Sequence, residues 1–322
     1  MSKLGVTLWP TGLSYSAARD LGKRAEDTGF DGIFLVEVPV GNDVMASAQA
    51  IVHATHRFTV GTGIANIYVR HPAQLGAAAV AIDELSGGRF ILGIGPNSPE
   101  MGRAIGYEWK DSRLALRETT TMLRRVFAGD TPPGYPWPFT PAQHPIPIHL
   151  AAVALETVEL AGEIADGAML YLATKERFAQ CLRRVEQGAH KAGRDPQEVL
   201  VTLLIPTFMS EDLAAARTAA RQFLAFYIGI SVYTPMFRRS GFTAEVDGVT
   251  QALARGDHKS AAASVSDRML DAVCLVGPRT RCQEQLAAFR EAGVQYPLLG
   301  PQPVQEEFPV AARRVIEAFG SP

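Results

Sequence analysis

Between Phe58 and Gly95 the chain reads FTVGTGIANIYVRHPAQLGAAAVAIDELSGGRFILGIG, and this run restricts the fold more than any other. FTVGTGI has the β-branched and apolar density of a buried strand. Pro72 opens a helix, where its fixed φ and missing N–H cost least. AQLGAAAVAIDEL suits a helix lying on a sheet, Ser86-Gly87-Gly88 supplies a left-handed closure, and RFILGIG is a second strand. Two strands joined by one crossover helix are expected to be parallel, with a right-handed connection.

At period 2, Gly61 and Gly63 share one face of the first strand, and Gly93 and Gly95 share one face of the second. Glycine weakens a strand interior, so the set asks for a reason. Either a flat ligand lies over the strand ends, or a tight barrel corner brings backbones together. Placement alone favours the corner.

The rest of the chain repeats the pattern. LGVTLW is a strand, YSAARDLGKRAEDTG a helix with Ala18, Leu21 and Ala25 on one stripe, DGIFLVEV a strand and NDVMASAQAIVHAT a helix. Asp111 begins a helix with Leu114, Met122, Leu123, Val126 and Phe127 towards the core. Residues 131–147 are crowded with prolines and read as a rigid loop with room for a short edge strand. IPIHLAA, ADGAMLYL and EVLVTLLIPTFM are strands, and Phe178, Cys181, Leu182, Val185 and Ala189 give the helix between the last two an apolar face.

After a helix from Asp212 to about Ile228 comes an insertion over 229–267, too long for a plain loop. Its Tyr233, Phe237 and Phe242, with Tyr227, Arg238 and Arg239, are expected to line a pocket. TRCQEQLAAFREAG and YPLLG complete eight alternations. They argue for one α/β domain over 1–322, a closed (β/α)8 TIM barrel with insertions. No Gly-x-Gly-x-x-Gly follows the first strand, which counts against a dinucleotide-binding doubly wound sheet.

Composition narrows the function. A formal net charge of −2, with scattered Lys and Arg, offers no nucleic-acid footprint. MSKLGVTLWPTG is too short in apolar residues for a leader, and no run approaches a membrane span. Cys181, Cys274 and Cys282 form neither a CxxC pair nor an even set, and the seven histidines lack metal-site spacing. A reduced, cytoplasmic enzyme without a metal, acting on a small molecule, is the expectation.

Active sites of such barrels lie at the C-terminal ends of the strands. That rule nominates Trp9, Glu37, Gly63 to Asn66, Gly95 to Ser98, Ala151 to Glu156 and Leu172. Glu37 serves there as a contact to a cofactor ring or a proton donor, or pairs with a rim cation. Trp9 stacks on a ligand or belongs to the core, and His71 fixes the helix entry rather than taking part in chemistry.

The V-G-T-G-I strand end, the R-H-P helix opening and D-E-L-S-G-G-R-F-I-L-G-I-G, together and in order, resemble the luciferase-like monooxygenase superfamily. Within it the likeness is to oxidoreductases using the deazaflavin coenzyme F420. A-F-Y-I-G (225–229) and R-R-S-G-F (238–242) resemble methylenetetrahydromethanopterin reductase-like members.

The resemblance implies a cis Gly63-Ile64 peptide bulging against the ring, and a cofactor site built from Gly63, Ile64, Ala65, Asn66, Gly95, Pro96 and Asn97. It implies a phosphate held on backbone N–H groups over Ala151, Ala152, Val153, Ala154 and Leu155, where relatives are often glycine-rich and this chain is not. Trp9, Tyr227 and Tyr233 would face the substrate, and a homodimer is common among relatives. Sugar-phosphate oxidation is disfavoured, because Glu37-Val38 and Pro96-Asn97-Ser98 stand where such members carry an acid–histidine pair and a further acid. The alternatives are an FMN-dependent monooxygenase of the same superfamily and a barrel that binds a flavin or other ligand without turnover.

Overall fold

The computed structural model describes residues 3–9, 12–38 and 41–320. Met1, Ser2, Pro10 and Thr11, parts of the N-terminal segment read for a leader, lie outside the described residues.

The chain opens with β1 (Gly5–Leu8), α1 (Tyr15–Asp27), β2 (Gly32–Leu35) and α2 (Val44–Val52). The glycine-marked segment follows as β3 (Thr59–Thr62), a two-residue β4 (Ala65–Asn66), α3 (Pro72–Ser86) and β5 (Phe90–Gly95). His71 caps α3, its Nδ1 accepting from the Ala73 N–H at 3.2 Å, with Pro72 in the first turn. Gly87, at φ 65°, closes the helix. The helix entry and exit are therefore set by the residues that announce them in the sequence.

Next come α4 (Pro99–Ile105), α5 (Ser112–Ala128), β6 (Ile148–Ala151), α6 (Leu155–Ile164), β7 (Gly167–Tyr171), α7 (Lys175–Lys191) and β8 (Leu200–Met209). The last third holds α8 (Leu213–Ile228), α9 (Thr234–Arg239), α10 (Thr243–Ala254), α11 (His258–Ala263) and α12 (Asp267–Val273). It ends with β9 (Leu275–Gly277), α13 (Arg279–Glu291), β10 (Tyr296–Pro301) and α14 (Phe308–Phe319).

All pairings are parallel, and the order β1-β2-β3-β5-β6-β7-β8-β10 closes on itself through β10 with β1. This is the eight-stranded TIM barrel, with β4 and β9 as short additions pairing with β5 and β8. Phe34, Met169, Leu204, Tyr296 and Leu298 fill the barrel interior. A larger apolar layer lies between strands and helices, and a separate cluster under the insertion contains Phe237 and Phe242.

Several expectations need correction. Leu114 is 55% exposed; α5 buries Leu123 and Val126 as expected, with Leu116 in place of Leu114. Residues 131–147 carry neither strand nor helix. α4, β9 and α14 were not foreseen. Phe237 and Phe242 are core side chains rather than pocket walls, and Arg238 is occupied by Asp247 at 2.6 Å.

Among the described residues no helix is long and apolar enough to cross a membrane. Nor, among the described residues, do three or more His, Cys, Asp or Glu side chains group so as to hold a metal ion.

Candidate active site at the barrel mouth

The C-terminal ends of the strands surround a cavity of about 410 Å³. Trp9 beyond β1, Glu37 beyond β2, Gly63 and Ile64 beyond β3, and Pro96 and Asn97 beyond β5 form one side. Ala151, Val153 and Ala154 from the β6–α6 turn, and Met169 and Tyr171 of β7, continue the wall. Tyr227 at the end of α8 and Tyr233 of the insertion close it. The Gly63-Ile64 peptide is cis.

Glu37 does not stand as a loose acid in this cavity. One carboxylate oxygen pairs with Arg70, and the other accepts from the Asn66 N–H at 2.6 Å. Arg70 also reaches Asp43 at 2.6 Å. Both oxygens of Glu37 thus have partners, the arrangement of the rim-pairing reading. Asn66 is equally committed: its amide nitrogen donates to the Tyr107 hydroxyl at 3.2 Å, and its oxygen accepts from the Tyr68 N–H at 2.9 Å.

The start of α6 is different. Its N-cap is Ala154, which has no side chain able to cap it. The Ala152 N–H donates to the Met169 carbonyl at 3.0 Å, but among the described residues the next four N–H groups have no acceptor. The first turn of a helix leaves such donors open and carries partial positive charge. Glu156 is exposed and lies in a surface groove with Asp111, Arg117 and Lys191, away from the cavity. This end can therefore meet an anion without a carboxylate in the way.

Residues 3–296 match the family model described as luciferase-like monooxygenase. The chain belongs to that family. It is similar to a 5,10-methylenetetrahydromethanopterin reductase of Methanolobus tindarius, 29% identical over 84% of this chain and 86% of the relative. A putative coenzyme F420-dependent oxidoreductase of Mycobacterium tuberculosis is also 29% identical, over 85% of this chain and 88% of the relative. In fold it matches the coenzyme F420-dependent tetrahydromethanopterin reductase of Methanopyrus kandleri, at a TM-score of 0.80 and 22% identity, covering 99% and 98% of the two chains.

In this luciferase-like barrel the expected residues divide. Trp9, Glu37, Gly63, Ile64, Pro96, Asn97, Ala151, Val153, Ala154, Tyr227 and Tyr233 reach the cavity wall; Ala65, Asn66, Gly95, Ala152 and Leu155 do not. Ala65 and Ala152 are buried in the core, and a Cβ on Gly95 would sit 3.0 Å from both Ala151 Cβ and Ile64 Cγ1. The glycines mostly serve the barrel corner. A Cβ on Gly61 would meet the Phe34 ring at 2.6 Å, and one on Gly93 the Thr62 carbonyl oxygen at 2.0 Å.

The principal residue missed was Tyr171, one position before the nominated Leu172. Leu172 takes φ 54° and is buried under the insertion, whereas Tyr171 meets Tyr227 and Tyr233 edge to face, at ring-centre distances of 5.2 and 6.0 Å. Burial, with the neighbouring Tyr227 phenol adding to it, pushes the Tyr171 hydroxyl well above its ordinary range, so it stays protonated. The Trp9 indole N–H is buried and has no hydrogen-bonding partner among the described residues, whereas the buried Tyr171 hydroxyl lies against the Tyr227 phenol.

Proposed function

We propose that this chain, an oxidoreductase of the luciferase-like family, binds coenzyme F420 at the barrel mouth. It would move a hydride between the deazaflavin C5 and a small organic substrate held above the ring. The uncapped start of α6, opening on the cavity in a chain with F420-named relatives, is the observation that carries this reading. The donor set fits the cofactor: free backbone N–H groups suit its phosphate, and the small residues Gly63 and Ala151 leave room beside Ile64 for a flat ring. When bound, the deazaflavin supplies the hydride chemistry, and the protein supplies everything else.

The protein's share follows from its residues. The Val153 to Glu156 N–H groups hold the anionic end, and Gly63 with Ile64 backs the ring. Trp9, Tyr227 and Tyr233 shield the reacting face from water, which strengthens polar contacts inside. The same reading carries a homodimer, which sedimentation of the purified protein checks, and a cytoplasmic location, which fractionation of the source cells checks.

Titration with F420 and with FMN, followed by protein fluorescence and cofactor absorbance, tests the proposal. Saturable binding of F420 in preference to FMN is expected. Binding of FMN alone would move the chain to the monooxygenase reading.

A further inference from the structure

Arg177 stands in the first turn of α7, where the chain leaves β7 at the barrel mouth. Its backbone N–H is taken by the Thr174 hydroxyl at 3.1 Å, which caps the helix. Its side chain crosses to the neighbouring β6–α6 turn, where Nη2 donates to the Val153 carbonyl at 3.0 Å. Among the described residues it is the one arginine buried to this degree, at 4% exposure.

That burial lacks a counter-charge. The half-buried arginines have carboxylates: Arg70 meets Glu37 and Asp43, Arg217 and Arg221 meet Asp267, and Arg281 meets Asp271. Among the described residues no carboxylate pairs with Arg177, and its Nε reaches no acceptor oxygen. The Cys181 thiol lies against it, but burial pushes that thiol up to about 11 and keeps it neutral. A buried charge is costly without a partner, and a cation in the first turn also faces the positive end of the helix dipole. Both costs fall away if an anion settles nearby.

The turn that Arg177 grips shows where such an anion fits. The Val153 carbonyl and the Ala154 N–H belong to one trans peptide, so they point in opposite directions. Holding the carbonyl back against Arg177 turns the N–H of the uncapped α6 start away from it, on the stretch of wall that Val153 and Ala154 give the cavity.

We infer that Arg177 is a positioning residue for the cofactor phosphate, setting the Val153 turn through its carbonyl and supplying the buried counter-charge behind it. It thereby makes the site select a phosphate-bearing ring over the same ring without phosphate. This rests on the phosphate lying at the start of α6.

Fluorescence titration with F420, and with the deazaflavin that keeps its ribityl chain but lacks the phosphate, tests it. The native protein should favour F420 by tenfold or more. Arg177→Met should weaken F420 by about tenfold and leave the phosphate-free deazaflavin unchanged. Arg177→Lys, which keeps the charge, should lose less. Because the uncompensated charge burdens the empty protein, Arg177→Met without cofactor should unfold no earlier than the native chain in a thermal scan. Equal weakening of both deazaflavins would make Arg177 a packing residue and overturn the inference. An unchanged F420 affinity, or early unfolding of cofactor-free Arg177→Met, would overturn it too. Binding of FMN in place of F420 would sink the F420 reading alone, since FMN against riboflavin then reads Arg177 in the same way.

Discussion

Glu37 and Arg70 form an ion pair at the barrel mouth in which the carboxylate side chain is 8% exposed and the guanidinium 20%. Arg70 extends the link to Asp43, whose other oxygen caps α2 by accepting from the Ala46 N–H at 2.9 Å. One side chain thus ties the loop before α3 to the end of β2 and the start of α2. Removing one partner of such a pair leaves the other charge buried and uncompensated, which costs more than the pair contributes. Arg70→Met should lower unfolding stability by about 3 kcal/mol in urea titration. Adding Glu37→Gln to it should restore part of the loss. If Arg70→Met unfolds at the native urea midpoint, the pair is ornamental.

His149 supplies a pH dependence. It lies in β6 with 1% of its surface exposed, its ring against Gly167, where a Cβ would come within 2.6 Å. Burial lowers its pKa to about 4; Asp166 opposes that shift and Lys3 adds to it. The folded protein therefore resists protonation that the unfolded chain accepts from about pH 6.5 downwards. This stability is present above pH 6.5 and is lost as pH falls towards 4. His149→Gln should flatten that slope between pH 6.5 and 4, measured as unfolding free energy against pH. An equal slope in both proteins would remove His149 as its source.

Gly93 makes a backbone contact that no side chain permits. A Cβ there would lie 2.0 Å from the Thr62 carbonyl oxygen and 2.7 Å from Met169 Sδ. Gly93→Ala must push β5 away from β3 inside a closed barrel, at a cost of about 3 kcal/mol. Gly63→Ala is milder, because its nearest contact is the flexible end of Met169 at 3.1 Å. It should fold nearly as well and lose cofactor affinity by narrowing the cavity. Thermal unfolding of the two variants decides between a backbone contact and a ligand slot at each position.

What the sequence made legible follows the range of each signal. The entry and exit of α3 could be read because His71, Pro72 and Gly87 act on their own backbone within a turn. The barrel could be read because strand and helix alternate. Tyr171 could not, since ADGAMLYL is apolar at nearly every position and a strand buried on both faces shows no alternation. The aromatics over 229–267 divided between cavity and core only through the packing of α9 and α10, which no local pattern sets. Glu37 was placed correctly at a strand end, but its partner Arg70 lies 33 residues away, and such a pairing is settled by the fold.

The start of α6 offers a test in which stability and binding move in opposite directions. Ala154 occupies the N-cap without capping, and a side-chain acceptor at such a position stabilises a helix by about 1 kcal/mol. Ala154→Asp should therefore raise the unfolding midpoint. The same carboxylate would occupy the N–H groups assigned to the cofactor phosphate and repel its charge, so F420 affinity should fall tenfold or more. Ala154→Asn separates the two causes, since it caps without charge and should lose less affinity. Differential scanning calorimetry and fluorescence titration read the two effects on one sample. A stabilised Ala154→Asp protein that binds F420 as the native one does would place the phosphate elsewhere.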